Sequence, residues 1–412
     1  MSKKVISLLL PFVMLAMMIP DISLGVNAYS ISKYFYGIKY KLTVTDEECI
    51  ASVVGYDDKN MKPDIIIPEY VEDEYGFRYQ VVYVEDSAFL DCLNLKTIKI
   101  ASSVTKIGEC AFSNCGSLTS VELPSNLERI DGGAFYDCLE LTEMSLDACN
   151  QYYACVDGVL FKKCGEEKTE LLLYPKGKKE ESYTVPDTVK TISEGAFESC
   201  KYLTSVRLPR NLTSISDCAF CGCGNLESIN IPPGVTNIGQ STFLDCRSLT
   251  SIILPEGLTD IGDLTFRCCL GLRSIEIPSS VKSIGDSAFA ECYNLKSLRL
   301  PDKLEEIHEE AFAGCSGLKL IEIPSNVTSI GKGAFIGCTG LISVTFPKKL
   351  KKIGDEAFKN CAKLTSIEFL SNKIEIGKDV FLNCNLAEII VYSEINPSFR
   401  MGLFFYMFGH CN

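Results

Sequence analysis

Histidine is nearly absent from this chain: of 412 residues, only His308 and His410 carry an imidazole. A histidine-based triad or a His-ligated metal needs partners brought close to the ring, and nothing in the sequence marks them. Positive charge is also scarce. Lys plus Arg number 40 against 53 Asp plus Glu, a net charge of −13, so the basic footprint of a nucleic-acid binder is missing. No glycine-rich phosphate loop or nucleophile elbow appears. The acidic runs Asp57-Asp58 and Glu72-Asp73-Glu74 lack the ordered oxygen spacing of a calcium loop and read as solvated turns. The chain therefore reads as a non-enzyme with no catalytic residue, no cofactor and no metal.

Long apolar runs are confined to the N-terminus. Lys3 and Lys4 precede an apolar stretch from Val5 to Ile19, and Val26-Asn27-Ala28 supplies small residues for cleavage, the pattern of a secretory signal peptide over residues 1–28. Pro11, Pro20 and Asp21 keep that stretch below the roughly 20 apolar residues a spanning helix needs. The mature chain is expected to be secreted or held at the cell surface without an integral span.

What the chain has in abundance is one phrase. Phenylalanine returns at 89, 112 and 135, then at 197, 220, 243, 266, 289, 312, 335, 358 and 381, in steps of 23 within each group. Five residues earlier stands Ile in eleven of these twelve copies and Val84 in the first. After each Phe, an alternating segment such as Leu118-x-x-Val121-x-Leu123 reads as a short strand, and a following proline, as at Pro124 or Pro301, stops it. Glycine at 108, 239, 262, 285, 331, 354 and 377 marks a turn, and the "xxAFxxC" segment predicts a short helical turn. One copy cannot bury its own apolar face. Stacked copies can, because each becomes the core of the next.

The phrase "LTSIxIPxxVTSIGxxAFxxC" resembles the BspA-like leucine-rich repeats over about residues 64 to 392, with "LTSVELPSNLERIDGGAFYDC" and "LKLIEIPSNVTSIGKGAFIGC" as matching copies. The resemblance implies a leucine-rich repeat solenoid of about twelve 23-residue repeats, β-rich with short helical turns, closed by an N-terminal β cap. It also implies surface display or secretion and adhesion to proteins of a matrix or of other cells.

The expected organisation is a signal peptide at 1–28, a β cap at 29–63 and a first repeat block at 64–146. An inserted β-hairpin segment follows at 147–186, then a second block at 187–392 and a tail at 393–412. The insertion reads either as a protruding recognition hairpin or as a structural splice between the blocks, the splice being favoured.

Twelve of the 21 cysteines sit three residues after the repeat Phe, from Cys92 to Cys384. Stacking places them in a column about 5 Å apart with parallel vectors, unlike the geometry of a disulfide, so they read as small buried hydrophobes. Of the other nine, Cys155 and Cys164 flank a hairpin strand and are the first disulfide candidates. Cys221-x-Cys223 and Cys268-Cys269 lack the further ligands of a tetrahedral site, and His308 reads as a turn residue in a slot where glycine is usual.

Strand alternation also generates an outward column: Lys99, Glu122, Ser145, Arg207, Asn230, Ile253, Glu276, Arg299, Glu322, Thr345 and Glu368. Its mixed charge points to contact with proteins rather than a polyanion. Binding or adhesion through this face is the expected function, with a ligand-free structural role in a cell envelope as the alternative. If the repeat cysteines form a buried column, titration of the denatured chain without reductant finds at least those twelve as free thiols. Near-complete pairing would refute the column.

Overall fold

The computed structural model describes residues 29–45, 48–57, 62–371 and 373–391. The expected signal peptide, the C-terminal tail, Asp58, His410 and Cys411 lie outside them. The chain divides into two compact units, Met1–Cys138 and Leu139–Asn412, and its repeats wind into about thirteen coils of about 23 residues.

One coil of the second unit, residues 284–306, shows how the sequence sets the structure. Ser297–Arg299 forms a three-residue strand that alternates exposed, buried, exposed, with Leu298 turned inward. It pairs in parallel with Ser274–Glu276 of the preceding coil. After Pro301, the Leu304 amide closes a turn on the Pro301 carbonyl at 3.0 Å, and a two-residue strand, Glu306–Ile307, begins the next coil. Ile284 lies in register between Ile261 and Ile307. Leu295, Leu300 and Leu304 complete the interior.

The segment around Phe289 departs from the expected helical turn: among the described residues there is no α-helix. Ser287 and Glu291, two residues either side of Phe289, adopt φ of 51° and 63°, and the same two positions are left-handed in all twelve copies. This alternation sends the amides of Ser287, Phe289 and Glu291 to the carbonyls of Glu309, Ala311 and Ala313 in the next coil, at 2.7–2.8 Å. The intervening amides of Ala288, Ala290 and Cys292 close turns within their own coil at 3.1–3.3 Å. An α-helix is about 10–12 Å wide and does not fit a stack whose coils repeat at strand spacing, about 4.8 Å. Placing a non-glycine residue in the left-handed region costs about 1–2 kcal/mol, offset here by a backbone bond to the neighbouring coil.

The rings stack accordingly. From Phe197 to Phe381, successive centroids lie 4.9–5.6 Å apart with planes within 18°, and all nine rings are fully buried. The repeat cysteines do more than fill space. Cys292 donates its S–H to the Phe266 carbonyl at 3.1 Å, and Cys315, Cys338 and Cys361 do the same to Phe289, Phe312 and Phe335 at 3.2 Å. A small side chain with a weak donor suits a dry site facing a carbonyl. Aspartate provides another link: Asp263, Asp286 and Asp355 each accept the backbone amide of the residue 23 positions on, at 2.7–3.0 Å.

The segment read as an inserted hairpin is a three-stranded antiparallel meander, Tyr153–Val156, Val159–Cys164 and Glu167–Leu173. Its third strand runs parallel to Thr191–Ile192 and so opens the inner ladder of the second unit. Tyr174, next in sequence, stacks on Phe197 at 5.4 Å and supplies the ring of a further coil. Lys176, with its side chain 2% exposed, is ion-paired to Glu198.

The first unit repeats this plan with different residues. Tyr29–Phe35, Ile38–Val44 and Cys49–Tyr56 form an antiparallel meander, the last strand runs parallel to Arg78–Val84, and Tyr56 stacks on Phe89 at 6.1 Å. Both meanders turn through two consecutive left-handed residues, Tyr36-Gly37 and Asp157-Gly158, the geometry of a type I′ hairpin. Each unit thus begins with its own β cap. The outer strands of the first unit, Asp64–Ile67, Thr97–Ile100 and Ser120–Glu122, are parallel.

Two substitutions test this packing. Phe289→Ala is expected to destabilise by about 3–5 kcal/mol, the usual cost of emptying a buried aromatic site, read by denaturant unfolding. A Cβ on Gly331 would meet the His308 carbonyl carbon at 2.4 Å, whereas one on Gly262 meets nothing closer than 3.4 Å. Gly331→Ala should therefore lower the thermal midpoint and Gly262→Ala should leave it nearly unchanged.

A candidate recognition face on the outer strands

The outer strands carry the sequence-derived column to the surface. In the second unit Arg207, Asn230, Ile253, Glu276, Arg299, Glu322 and Thr345 are exposed, Ser145 is exposed, and Glu368 is half-buried. In the first unit Lys99 and Glu122 are exposed and stand in register. Parallel pairing aligns Asn230 with Ile253, Glu276 with Arg299 and Glu322 with Thr345. Part of the column pairs internally: Lys99 Nζ lies 2.7 Å from Glu122, and the Thr345 hydroxyl donates to Glu368 at 2.8 Å. Such exposed pairs contribute only about 0–1 kcal/mol and leave the face available.

Two depressions lie over the outer strands within the second unit. A depression of about 750 Å³ is lined by Asp187, Arg207, Arg210, Asn211, Asn230 and Pro233. A second, of about 510 Å³, runs over the outer strands from Ser182–Thr184 to Ser251–Ile253. Arg207 and Asn230 line both. The floor carries a serine row, Ser182, Ser205, Ser228 and Ser251, at successive 23-residue steps. Beside it runs the column itself, which at Ile253 leaves 70% of an aliphatic residue in water. Arg210 and Asn211 escape a search by strand alternation because they follow Pro209, beyond the strand.

Several other candidates resolve into structure. Cys155 and Cys164 do not meet: Cys155 stands opposite Leu160 and Cys164 opposite Glu167, which separates them by about four residues of strand. Cys155 instead donates to the Met144 carbonyl at 2.9 Å, and both thiols are free. Asp73, expected to be solvated, is buried. It accepts the amides of Tyr75 and Phe77 at 2.9 and 3.0 Å and the Tyr79 hydroxyl at 3.2 Å, which fixes the turn at Gly76. His308 is a turn residue whose ring lies 3.4 Å from Glu306. Among the described residues, no three His, Cys, Asp or Glu side chains converge as metal ligands.

The repeat thiols are chemically quiet. Burial pushes Cys223 and Cys338 up to about 12 and holds Cys246, Cys269, Cys292 and Cys315 well above the ordinary thiol range. Protonated at neutral pH, they are poor nucleophiles and poor ligands.

The chain is similar to known proteins along most of its length. A family model described as a BspA type leucine rich repeat region in six copies matches residues 74–166, 176–296 and 282–407. The solved structure of a leucine rich cell surface protein from Faecalibacterium prausnitzii is 27% identical, with a TM-score of 0.55, over 82% of this chain and 94% of that one. A leucine-rich repeat protein from Bacteroides ovatus is 27% identical, with a TM-score of 0.56, over 87% and 94%. A leucine-rich repeat protein from Eubacterium ventriosum shares the fold at 23% identity and a TM-score of 0.55, over 75% and 95%. No curated protein matches.

A thiol held up to about 12 when folded ionises near its ordinary value of 9.0 once unfolded, so ionisation favours the unfolded chain above that lower value. Stability should be level below pH about 9 and fall as pH climbs from 9 toward 12. Native alkylation at pH 8, mapped by mass spectrometry, should modify the exposed Cys149 and Cys164 and spare the repeat column.

Proposed function

The chain belongs to the BspA type leucine rich repeat family, and from that premise we propose that it is a secreted or cell-surface recognition protein. It would hold protein ligands against its outer strand face and carry out no chemistry on them. The observation that carries this reading is the column itself. Side chains of every character stand exposed at 23-residue steps, on strands whose inward residues are locked in the core. A scaffold needs only the inward set. Outward positions that vary while the inward ones repeat leave a surface free to be shaped by a partner, as extended solenoid faces are. The cell-surface role named for the Faecalibacterium relative supports the location, and the mixed signs along Glu276, Arg299, Glu322, Thr345 and Glu368 support a protein ligand over a polyanion. Ligands of this kind are proteins of an extracellular matrix or of another cell's surface.

The test is capture of extracellular matrix proteins and intact cells by the mature chain, compared with a variant carrying Glu276→Lys, Arg299→Glu and Glu322→Lys. Capture by the parent and its loss in the variant, with the unfolding midpoint retained, is the expected result. Equal capture by both, or none by either, would overturn the reading and favour a ligand-free structural role.

A further inference from the structure

Within the second unit's outer face, one stretch differs from the rest in chemistry. In consecutive coils the column presents a guanidinium at Arg207, an amide at Asn230 and an exposed aliphatic side chain at Ile253. Asn230 and Ile253 are register partners, and Val206 and Ile229 align the first two coils beneath them. Arg210 and Asn211 enlarge the polar end. The chain as a whole carries −13, yet among the described residues neither Arg207 nor Arg210 has a carboxylate within the 4.0 Å of an ion pair. Asp187 lines the same depression without meeting either. Two guanidinium groups left open together are a site for an anionic oxygen pair from elsewhere, since the planar fork matches a carboxylate.

We propose that Arg207, Arg210, Asn230 and Ile253 form a docking site for an extended acidic segment of a partner protein. The proposal rests on the recognition reading above and names its ligand class. A carboxylate side chain of the segment lies between the two arginines, a peptide group meets Asn230, and an aliphatic side chain covers Ile253. Charge complementarity sets the acidic end, and the 70% exposure of Ile253 sets the apolar one. From Arg207 to Ile253 is two coil steps, about 10 Å at strand spacing. An extended chain of polyproline-II form advances about 3.1 Å per residue with three residues per turn, so an acidic and an aliphatic residue three positions apart span that distance and face the same side.

A displayed library of linear twelve-residue peptides, panned on the full chain, tests this. The expected enrichment is Asp or Glu with Leu, Ile or Val three positions away. Synthetic versions should bind an Arg207→Gln/Arg210→Gln variant about tenfold more weakly, the scale of lost hydrogen bonds to a charged group, and should also weaken with Ile253→Ser. Both variants should keep the parent's thermal midpoint, because the changed side chains lie outside the core. Enriched peptides without an acidic residue, equal binding to the arginine variant, or no enrichment would overturn the proposal. Displacement of the peptide by glucuronate at equal concentration would overturn it too, by assigning the site to a small acidic sugar. Capture of surface proteins that still depends on Glu276, Arg299 and Glu322 after such a failure would leave the recognition reading standing.

Discussion

The bond on which this molecule depends is the one that each coil makes to the next at a displacement of 23 residues. Three amides around ten of the twelve repeat phenylalanines reach forward to the following coil, as Ser287, Phe289 and Glu291 do. Two strands per coil pair in parallel, the rings stack at about 5 Å, and a cysteine thiol ties back to the preceding phenylalanine carbonyl. Each link is modest alone. All of them share one translation, so a coil in the middle is held by the same geometry on both sides. Stability in such a stack is close to a sum over neighbours, and it must be terminated at the start of each stack. The two meanders at Tyr29–Tyr56 and Tyr153–Leu173 do this with Tyr56 and Tyr174 as the first rings.

Much of this was readable from the chain, for a physical reason. Phe289, Cys292, Ile284 and Leu295 occupy positions where burial tolerates few substitutes, so they recur almost letter for letter. The left-handed residues were only partly readable. Two places after the repeat Phe, nine of twelve copies carry Gly, Asn or Asp, which favour positive φ, but most residues two places before it, such as Ser287 and Leu264, show no such preference and are held there by a hydrogen bond to the next coil. A helical turn was therefore the natural expectation, and only the spacing between coils excludes it. The second cap was hidden for a similar reason. It shares with the first a hairpin turn and a terminal tyrosine, while its strands differ residue by residue, so it reads as an insertion in a list of repeats.

The proposed recognition face divides the same way. That Arg207, Asn230 and Ile253 would point outward follows from alternation in a three-residue strand. That Arg210 and Asn211 join them follows from the path of the chain beyond Pro209, which periodicity does not describe. Membership of the BspA type family explains the scaffold and leaves the outward residues as this chain's own. The proposed function rests on those residues, since one fold can carry many roles.

Removal of one coil tests the central claim most directly. Deleting residues 284–306 takes out 23 positions and rejoins Ser283 to Ile307, which restores every column. Deleting 284–305 takes out 22 and displaces every following side chain by one place. The account predicts cooperative thermal unfolding close to the parent's for the first and its loss for the second. Indistinguishable unfolding of the two would contradict it.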